Sequence, residues 1–204
     1  MLASIKTDIP YKGDRDYLHG TDIYEFVHGF VRAHVQPAEI RRFQLKFHGF
    51  TRAQGTVFLA DRDEAAEAKP KRAPIQFLVE VDGRVLEGWH VADGPVGDRR
   101  VAGHEAFVVA NSEIVDRRIR YTGGAGIPVI EAVVFSTKRL HQETLPHIKG
   151  KWVFAALDTS RFFDEADLQD LTIELRDVLH DRFTASKIEC HGQPLGQILF
   201  DCIR

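Results

Sequence analysis

Two short segments of the chain place glycine next to ionisable side chains at predicted helix starts. The first has the sequence YLHGTD and spans residues 17–22. Gly20 would let a ligand approach the backbone closely, because glycine carries no side chain. His19 could act as a base near neutral pH, and Asp22 or Glu25 could orient it or act on water. These residues are candidates for a catalytic site.

A purely structural interpretation of the same segment is also open. Thr21 would cap the helix, Asp22 would complement the helix dipole, and His19 would lie in a surface turn. Because short motifs often match by chance, the sequence alone leaves both interpretations standing.

The second candidate segment is GGAG at residues 123–126, which precedes a predicted helix over 127–145. A glycine-rich loop that opens a helix is typical of phosphate binding. The chain has neither GxxxxGK[ST] nor GxGxxG, however, so we expect no nucleotide and no other cofactor. Glu131, one turn into the helix, could serve as a general acid or base. Alternatively, Gly124 and Gly126 only permit a turn with positive φ angles.

Other reactive residue types exclude several kinds of site. The ten histidines show no HxH or HExxH spacing and the two cysteines no CxxC spacing, so we expect no metal site. Gly-x-Ser-x-Gly is absent, which argues against a serine-hydrolase elbow. Cys190 and Cys202 lie on the two strands of one predicted hairpin. A cross-strand disulfide is possible there, but without an export signal we expect two reduced thiols.

Three polar side chains on the predicted helix over 127–145 have competing interpretations. His141 falls on or beside the apolar face, which favours a core histidine unless it faces Glu131. Lys138 and Arg139 could form a basic rim for a phosphate group, or they could lie on a solvated helix face.

Composition and charge describe a globular chain. It has 204 residues, of which 44% are apolar and 28% charged, and its formal net charge is −3. Such a chain forms one large domain or two small ones. The charge argues against a nucleic-acid-binding face, and no apolar run approaches the roughly 18 residues of a membrane span. The first residues lack the apolar core of a signal peptide, so we expect a cytoplasmic protein.

The first part of the chain predicts an extended segment, one helix and four antiparallel strands. The helix starts at Gly20 or Thr21, because apolar residues then recur at three- and four-residue spacing. The first two strands are expected to pair as a hairpin, and the charged stretch after Asp61 to form a loop. The last two flank Asp82-Gly83, which is typical of a two-residue hairpin turn. The four predicted strands are 42–50, 55–61, 75–81 and 84–91.

The second part predicts strands and two helices. Leu168, Leu171, Leu175, Val178 and Leu179 follow helical spacing, so we expect a helix over 163–181. Further strands are predicted at 105–110, 115–121 and 152–157, and a final hairpin closes the chain.

A repeated pattern relates the two parts. In each, a helical stretch leads into a strand that begins with Phe (Phe43, Phe183), and a turn then leads into a strand that begins with Gly (Gly55, Gly196). An internal repeat predicts two related α+β halves. We place them at 1–92 and 105–204, with 93–104 as the connecting loop and an extra helix in the second half.

One helix followed by about four antiparallel strands, with glycine at the helix start, resembles the hot-dog fold. In that family antiparallel sheets wrap a central apolar helix, and two fused units form a double hot-dog. The third predicted helix lies where the family continues its sheet. The His-Phe-Pro-Gly run of the dehydratase members is missing, and the His19-Gly20 pair is more similar to the thioesterase members.

The resemblance implies acyl-thioester chemistry on an acyl-CoA or acyl-carrier-protein substrate: hydrolysis, dehydration or hydration, or acyl transfer. In such proteins the thioester carbonyl lies against backbone N–H groups at a helix start, where negative charge on oxygen is stabilised. On this basis His19, Asp22 and Glu131 would be catalytic, and Tyr17, Gly20, Gly124 and Gly126 would bind substrate. The alternative is a non-catalytic module that binds a small molecule or a partner. A monomer and a homodimer are both compatible with the sequence.

Overall fold

The computed structural model describes residues 3–35 and 39–204, and its chain forms two compact units. The first unit contains residues up to Gly103 together with Ser160–Phe162. The second contains His104–Thr159 and Phe163–Arg204. Residues 93–103, expected to connect two halves, therefore fold with the first unit.

The first unit combines a 16-residue helix with an antiparallel sheet in the strand order β1-β4-β6-β5-β3. A short parallel pair, β2 and β7, lies outside that sheet. Its elements are β1 Ala3–Lys6, β2 Tyr11–Lys12, α1 Gly20–Val35, β3 Ile40–Phe47, β4 Thr56–Asp61, α2 Arg62–Ala68, β5 Ile75–Val81, β6 Arg84–Val91 and β7 Arg100–Val101.

An aromatic cluster joins α1 to β3 in this unit. The Tyr24 ring meets the Phe43 ring edge-on, with centroids 5.7 Å apart, and Phe162 lies 4.5 Å from Phe43. All three side chains are buried. Edge-to-face pairs of this kind add to the stabilisation from burial alone, so they fix α1 against the sheet.

The second unit has a six-stranded antiparallel sheet in the order β8-β9-β11-β12-β13-β10. A 3₁₀ helix, Glu165–Asp170, precedes β11. The remaining elements are α3 Glu105–Ala110, β8 Ser112–Val115, β9 Arg118–Tyr121, α4 Val129–Thr144, β10 Lys151–Thr159, β11 Leu171–Leu179, β12 Phe183–Cys190 and β13 Gln193–Ile203.

Helix α4 is the core of the second unit. Every residue from Val129 to Thr137 is buried, as are Leu140 and His141. A surface helix buries one stripe, whereas a helix buried on all sides is surrounded by protein. The predicted helix over 127–145 is confirmed, and Pro128 lies at its N-cap.

Several local predictions from the sequence are confirmed. Helix α1 begins at Gly20, and β5 and β6 form a hairpin. The turn residues Asp82 and Gly83 have φ angles of 48° and 75°, as a two-residue turn of this type requires. The final hairpin, β12 with β13, is also present.

The helix predicted over 163–181 is wrong. Residues 171–179 form strand β11, in which Leu171, Ile173 and Leu175 are buried and alternate with partly exposed residues. This strand pairs with β12 on one side and β9 on the other. Sheet pairing has overridden a helical spacing of leucines. The second half therefore has no extra α-helix there, and the helical stretches aligned in the predicted repeat are not equivalent.

Three shorter predictions also fail. Residues 105–110 form helix α3 rather than a strand, and the charged stretch after Asp61 forms helix α2 rather than a loop. Strand β4 does not pair with β3 but lies between β1 and β6. Strand β3 instead pairs with β5. Helix α2 therefore connects β4 to β5, which lie on opposite sides of β6.

Candidate functional site

The start of α1 brings together a buried lysine, a threonine, a histidine and an aspartate. Lys12 is 2% exposed, and its ammonium group donates to Thr21 Oγ1 at 2.9 Å and to Asp22 Oδ1. His19 Nδ1 lies 2.8 Å from the same threonine oxygen. The structure therefore places the predicted residues His19 and Asp22 in one polar cluster with Lys12.

The β2–β7 ladder positions Lys12 beneath the helix. Lys12 pairs with Val101 in that ladder. A Cβ added to Gly103 would lie 3.2 Å from the Lys12 side chain, so this glycine leaves room for the lysine stem. The segment predicted to be a connecting loop thus supports the first candidate site.

The other predicted residues of the first segment are close to this cluster. Gly20 is the first residue of α1. The Tyr17 ring lies 4.5 Å from the ring of Phe50 and 6.5 Å from that of His19, measured between centroids. Thr21, predicted as the cap, lies inside the helix and is completely buried.

A histidine–carboxylate pair lies at the start of α4. Glu131 Oε2 accepts hydrogen bonds from the backbone N–H of His104 at 3.1 Å and from His104 Nδ1 at 3.0 Å. The Glu131 side chain is 4% exposed and that of His104 43% exposed. The carboxylate predicted as an acid or base is thus shielded, and the imidazole is the accessible partner.

Helix α3 is held along α4 by further polar contacts, and these fix His104. Lys138 pairs with Glu105, the first residue of α3. Arg139 donates to the backbone carbonyls of Val109 and Ser112, each at 2.5 Å. Both cations predicted as a basic rim or a solvated face are therefore used to attach α3.

The glycine loop before α4 requires the conformations that glycine allows. Gly124 and Gly126 have φ angles of 70° and 102° and are exposed. A Cβ on Gly123 would come within 2.5 Å of the Tyr121 hydroxyl oxygen. That hydroxyl donates to the Gly124 carbonyl at 3.1 Å, and burial raises the pKa of Tyr121. The loop is thus built around Tyr121, in agreement with the turn interpretation of the glycines.

Solved structures share the architecture of this chain. A Thermobifida fusca YX protein described as a thioesterase II gives a TM-score of 0.52 at 10% identity, covering 98% of this chain and 92% of the other. A tesB protein from Mycobacterium avium subs paratuberculosis gives 0.52 at 9% identity, with 95% and 89% covered. A trans-AT PKS dehydratase domain from Brevibacillus brevis gives 0.52 at 8% identity, with 92% and 86% covered.

These thioesterase II and PKS dehydratase structures have the hot-dog fold. The chain has the hot-dog fold. The resemblance drawn from the sequence is confirmed at the level of fold, including the α+β class. No protein-family model and no curated protein matches the sequence.

In each unit, one residue of the candidate site was missed by the sequence prediction. Lys12 reaches the first site through the β2–β7 ladder, and His104 reaches the second through α3. Glu131 is 27 positions from His104. Neither the Lys12–Asp22 pair nor the His104–Glu131 pair has a sequence spacing typical of a known motif. Each pair forms only because elements that are distant in the chain pack together.

One further histidine and the two cysteines are buried in the second unit, away from the candidate sites. His141 is fully buried, with its ring 4.6 Å from that of Trp152 and 5.2 Å from that of Phe200. It is a core histidine, as predicted. Cys190 and Cys202 are both buried and are not joined in a disulfide, which agrees with two reduced thiols.

Among residues 3–35 and 39–204, no group of three or more His, Cys, Asp or Glu side chains could hold a metal ion. Within the same ranges, no helix is both long and apolar enough to cross a bilayer.

Two cavities lie away from both candidate sites. One of about 510 Å³ in the second unit is lined by residues 147–150, Asp181 and Arg204. Another of about 220 Å³ in the first unit lies beside Glu87, which pairs with Arg62 and Lys69. His19, Asp22, His104 and Glu131 line neither of these two cavities.

Proposed function

We propose that this protein processes acyl thioesters carried on coenzyme A or on an acyl carrier protein, by hydrolysis, dehydration or hydration, or acyl transfer. The observation that carries the proposal is the His104–Glu131 pair at the first turn of the central helix α4. The hot-dog fold, found in solved thioesterase and dehydratase proteins, supports it.

His104 would act as the general base. A carboxylate only accepts hydrogen bonds, so Glu131 Oε2 at 3.0 Å fixes the proton of the neutral ring on Nδ1. The lone pair is then on Nε2, which can take a proton from water or from a carbon next to the thioester carbonyl. Glu131 is the positioning residue in this scheme, because it is buried and acts through His104.

The start of α4 would stabilise charge on the substrate. Negative charge develops on the thioester oxygen during hydrolysis and during proton abstraction beside the carbonyl. The N-terminal end of the α4 dipole favours such charge. Gly124 and Gly126 in the preceding loop would allow the substrate to approach the backbone.

The test is turnover of short- to long-chain acyl-CoA and 3-hydroxyacyl-CoA thioesters, read as free thiol and as product mass. We expect His104→Ala to lower kcat/KM by about 10²–10⁴-fold, the usual contribution of a general base. We expect Glu131→Gln to lower it through misorientation of His104. The exposed His48 lines neither described cavity and provides a matched control, and His48→Ala should retain wild-type turnover.

The same assay compares the two helix starts. Loss of turnover in His19→Ala, with His104→Ala active, would move the base to the start of α1. Turnover that survives both substitutions would contradict a histidine base at either helix start.

A second candidate function is a binding module without catalysis. The two described cavities favour it, because neither is lined by His19 or His104. A ligand in either cavity would therefore bind away from both candidate bases. Saturable binding of an acyl-CoA by calorimetry, with no turnover of any thioester by the wild-type protein, would support this alternative over the enzyme.

A further inference from the structure

The buried ammonium group of Lys12 determines how its neighbours form hydrogen bonds. A lysine ammonium group can only donate, so Thr21 Oγ1, at 2.9 Å, must accept from it. Asp22 accepts a second bond and balances the charge. The direction of the Lys12–Thr21 bond therefore follows from the chemistry of the two groups.

The hydroxyl hydrogen of Thr21 then has one destination. Within residues 3–35 and 39–204, the contacts of the Thr21 hydroxyl are Lys12 Nζ and His19 Nδ1. Thr21 is completely buried, so solvent is not an alternative acceptor. Because a buried donor without an acceptor is strongly unfavourable, the hydroxyl donates to His19 Nδ1 at 2.8 Å.

We propose that Lys12 and Thr21 are positioning residues that hold neutral His19 with its proton on Nε2, so that His19 serves as a hydrogen-bond donor and not as the base. The tautomer is opposite to that of His104, whose Nδ1 donates to Glu131. The two histidine sites are thus prepared for different roles: proton acceptance at His104 and hydrogen-bond donation at His19.

The role of that donor rests on the proposed thioester function. A neutral Nε2–H can donate to a thioester carbonyl oxygen and strengthen that bond as negative charge develops there. Neither Lys12 nor Thr21 needs to touch the substrate for this, because both act through the His19 ring.

The tautomer can be measured without any substrate. Two-bond ¹H–¹⁵N correlation spectra at pH 8 distinguish Nδ1–H from Nε2–H rings, and His19→Gln identifies the His19 signals among ten histidines. We expect Nε2–H in the wild-type protein. Thr21→Val and Lys12→Met should raise the Nδ1–H population, whereas Thr21→Ser should restore the wild-type signals because it keeps the hydroxyl group.

The matched control is Lys6→Met, which removes an exposed lysine paired with Asp93 in the same unit and should leave the His19 signals unchanged. An Nδ1–H ring in the wild-type protein would overturn the proposal, and that measurement needs no variant to fold. Unchanged His19 signals in both Thr21→Val and Lys12→Met would overturn it as well.

Thioester kinetics test the donor role separately. We expect Thr21→Val to lower kcat by on the order of 100-fold, as for loss of one oriented oxyanion donor, with a smaller effect on KM. Unchanged kcat in a variant whose tautomer has shifted would overturn the donor role. If the wild-type protein turns over no thioester, the proposed function fails, and the spectra still decide the tautomer.

Discussion

At the scale of single residues, the surroundings of His141 are unfavourable for charge. Burial lowers its pKa from 6.5 to about 3. Within the described parts of the chain, neither ring nitrogen has a hydrogen-bond partner, and the ring lies between Trp152 and Phe200. The side chain is therefore neutral in the folded protein at every physiological pH.

This burial predicts that the protein loses stability in acid. Above pH 6.5 His141 is neutral in both the folded and unfolded states, so it adds no pH dependence. Between pH 6.5 and about 3 only the unfolded state binds the proton, so the free energy of unfolding falls by about 1.4 kcal/mol per pH unit. In urea unfolding, His141 should make the free energy of unfolding roughly 2–3 kcal/mol lower at pH 4.5 than at pH 6.5.

The variant His141→Phe isolates the effect, because phenylalanine suits an aromatic site and does not titrate. We expect the difference in the free energy of unfolding between pH 6.5 and 4.5 to be smaller in His141→Phe than in the wild type by roughly 2–3 kcal/mol. The exposed His147→Ala should behave as wild type. Identical pH dependence in wild type and His141→Phe would show that His141 is not held neutral by the fold.

Residues of the candidate sites could be predicted from the sequence only where they are close in the chain. His19, Gly20 and Asp22 were predicted together, and the structure places them together. Their partner Lys12 could not be predicted, because its approach depends on the β2–β7 ladder. His104 was missed for the same reason, since helix α3 carries it to Glu131.

At the scale of elements, β11 shows why leucine spacing is not decisive. Leu171 and Leu175 fit both a helix and an alternating strand, because positions that are four apart satisfy both periods. Pairing with β9 and β12 selects the strand. In the hairpin of β5 and β6, by contrast, Asp82-Gly83 constrains the turn locally, and the prediction was correct.

Two alanine substitutions distinguish the strand from the helix. The predicted helix would bury Leu179 and expose Ile173, whereas in β11 Ile173 is 0% exposed and Leu179 is 59% exposed. We expect Ile173→Ala to lower the free energy of unfolding by about 2–5 kcal/mol, and Leu179→Ala to change it by less than about 0.5 kcal/mol. Chemical denaturation measures both, and a larger effect at Leu179 would contradict the strand.

At the scale of the whole molecule, the two thiols report on the integrity of the fold. Cys190 lies beside the β12–β13 turn and Cys202 near the other end of that hairpin, and both are buried. Burial also raises the pKa of the Cys202 thiol, which disfavours the reactive thiolate. We expect a thiol reagent to label the native protein slowly and to titrate two thiols per chain in denaturant.

Labelling of both thiols at full rate under native conditions would contradict their burial, and the absence of free thiols in denaturant would contradict the reduced state. The sequence left monomer and homodimer open, and light scattering of the native protein would choose between them.

The strand orders of the two units bear on the question of whether both arose from one duplicated module. Counting from the strand that follows each central helix, β5 and then β6 occupy the places that β13 and then β12 occupy in the other unit. Chain order would instead match β5 with β12 and β6 with β13. Any alignment that keeps chain order therefore matches strands that occupy different places in the two sheets. Whether the two units descend from one ancestral module has to be judged by a structural superposition that does not require the same strand order along the chain.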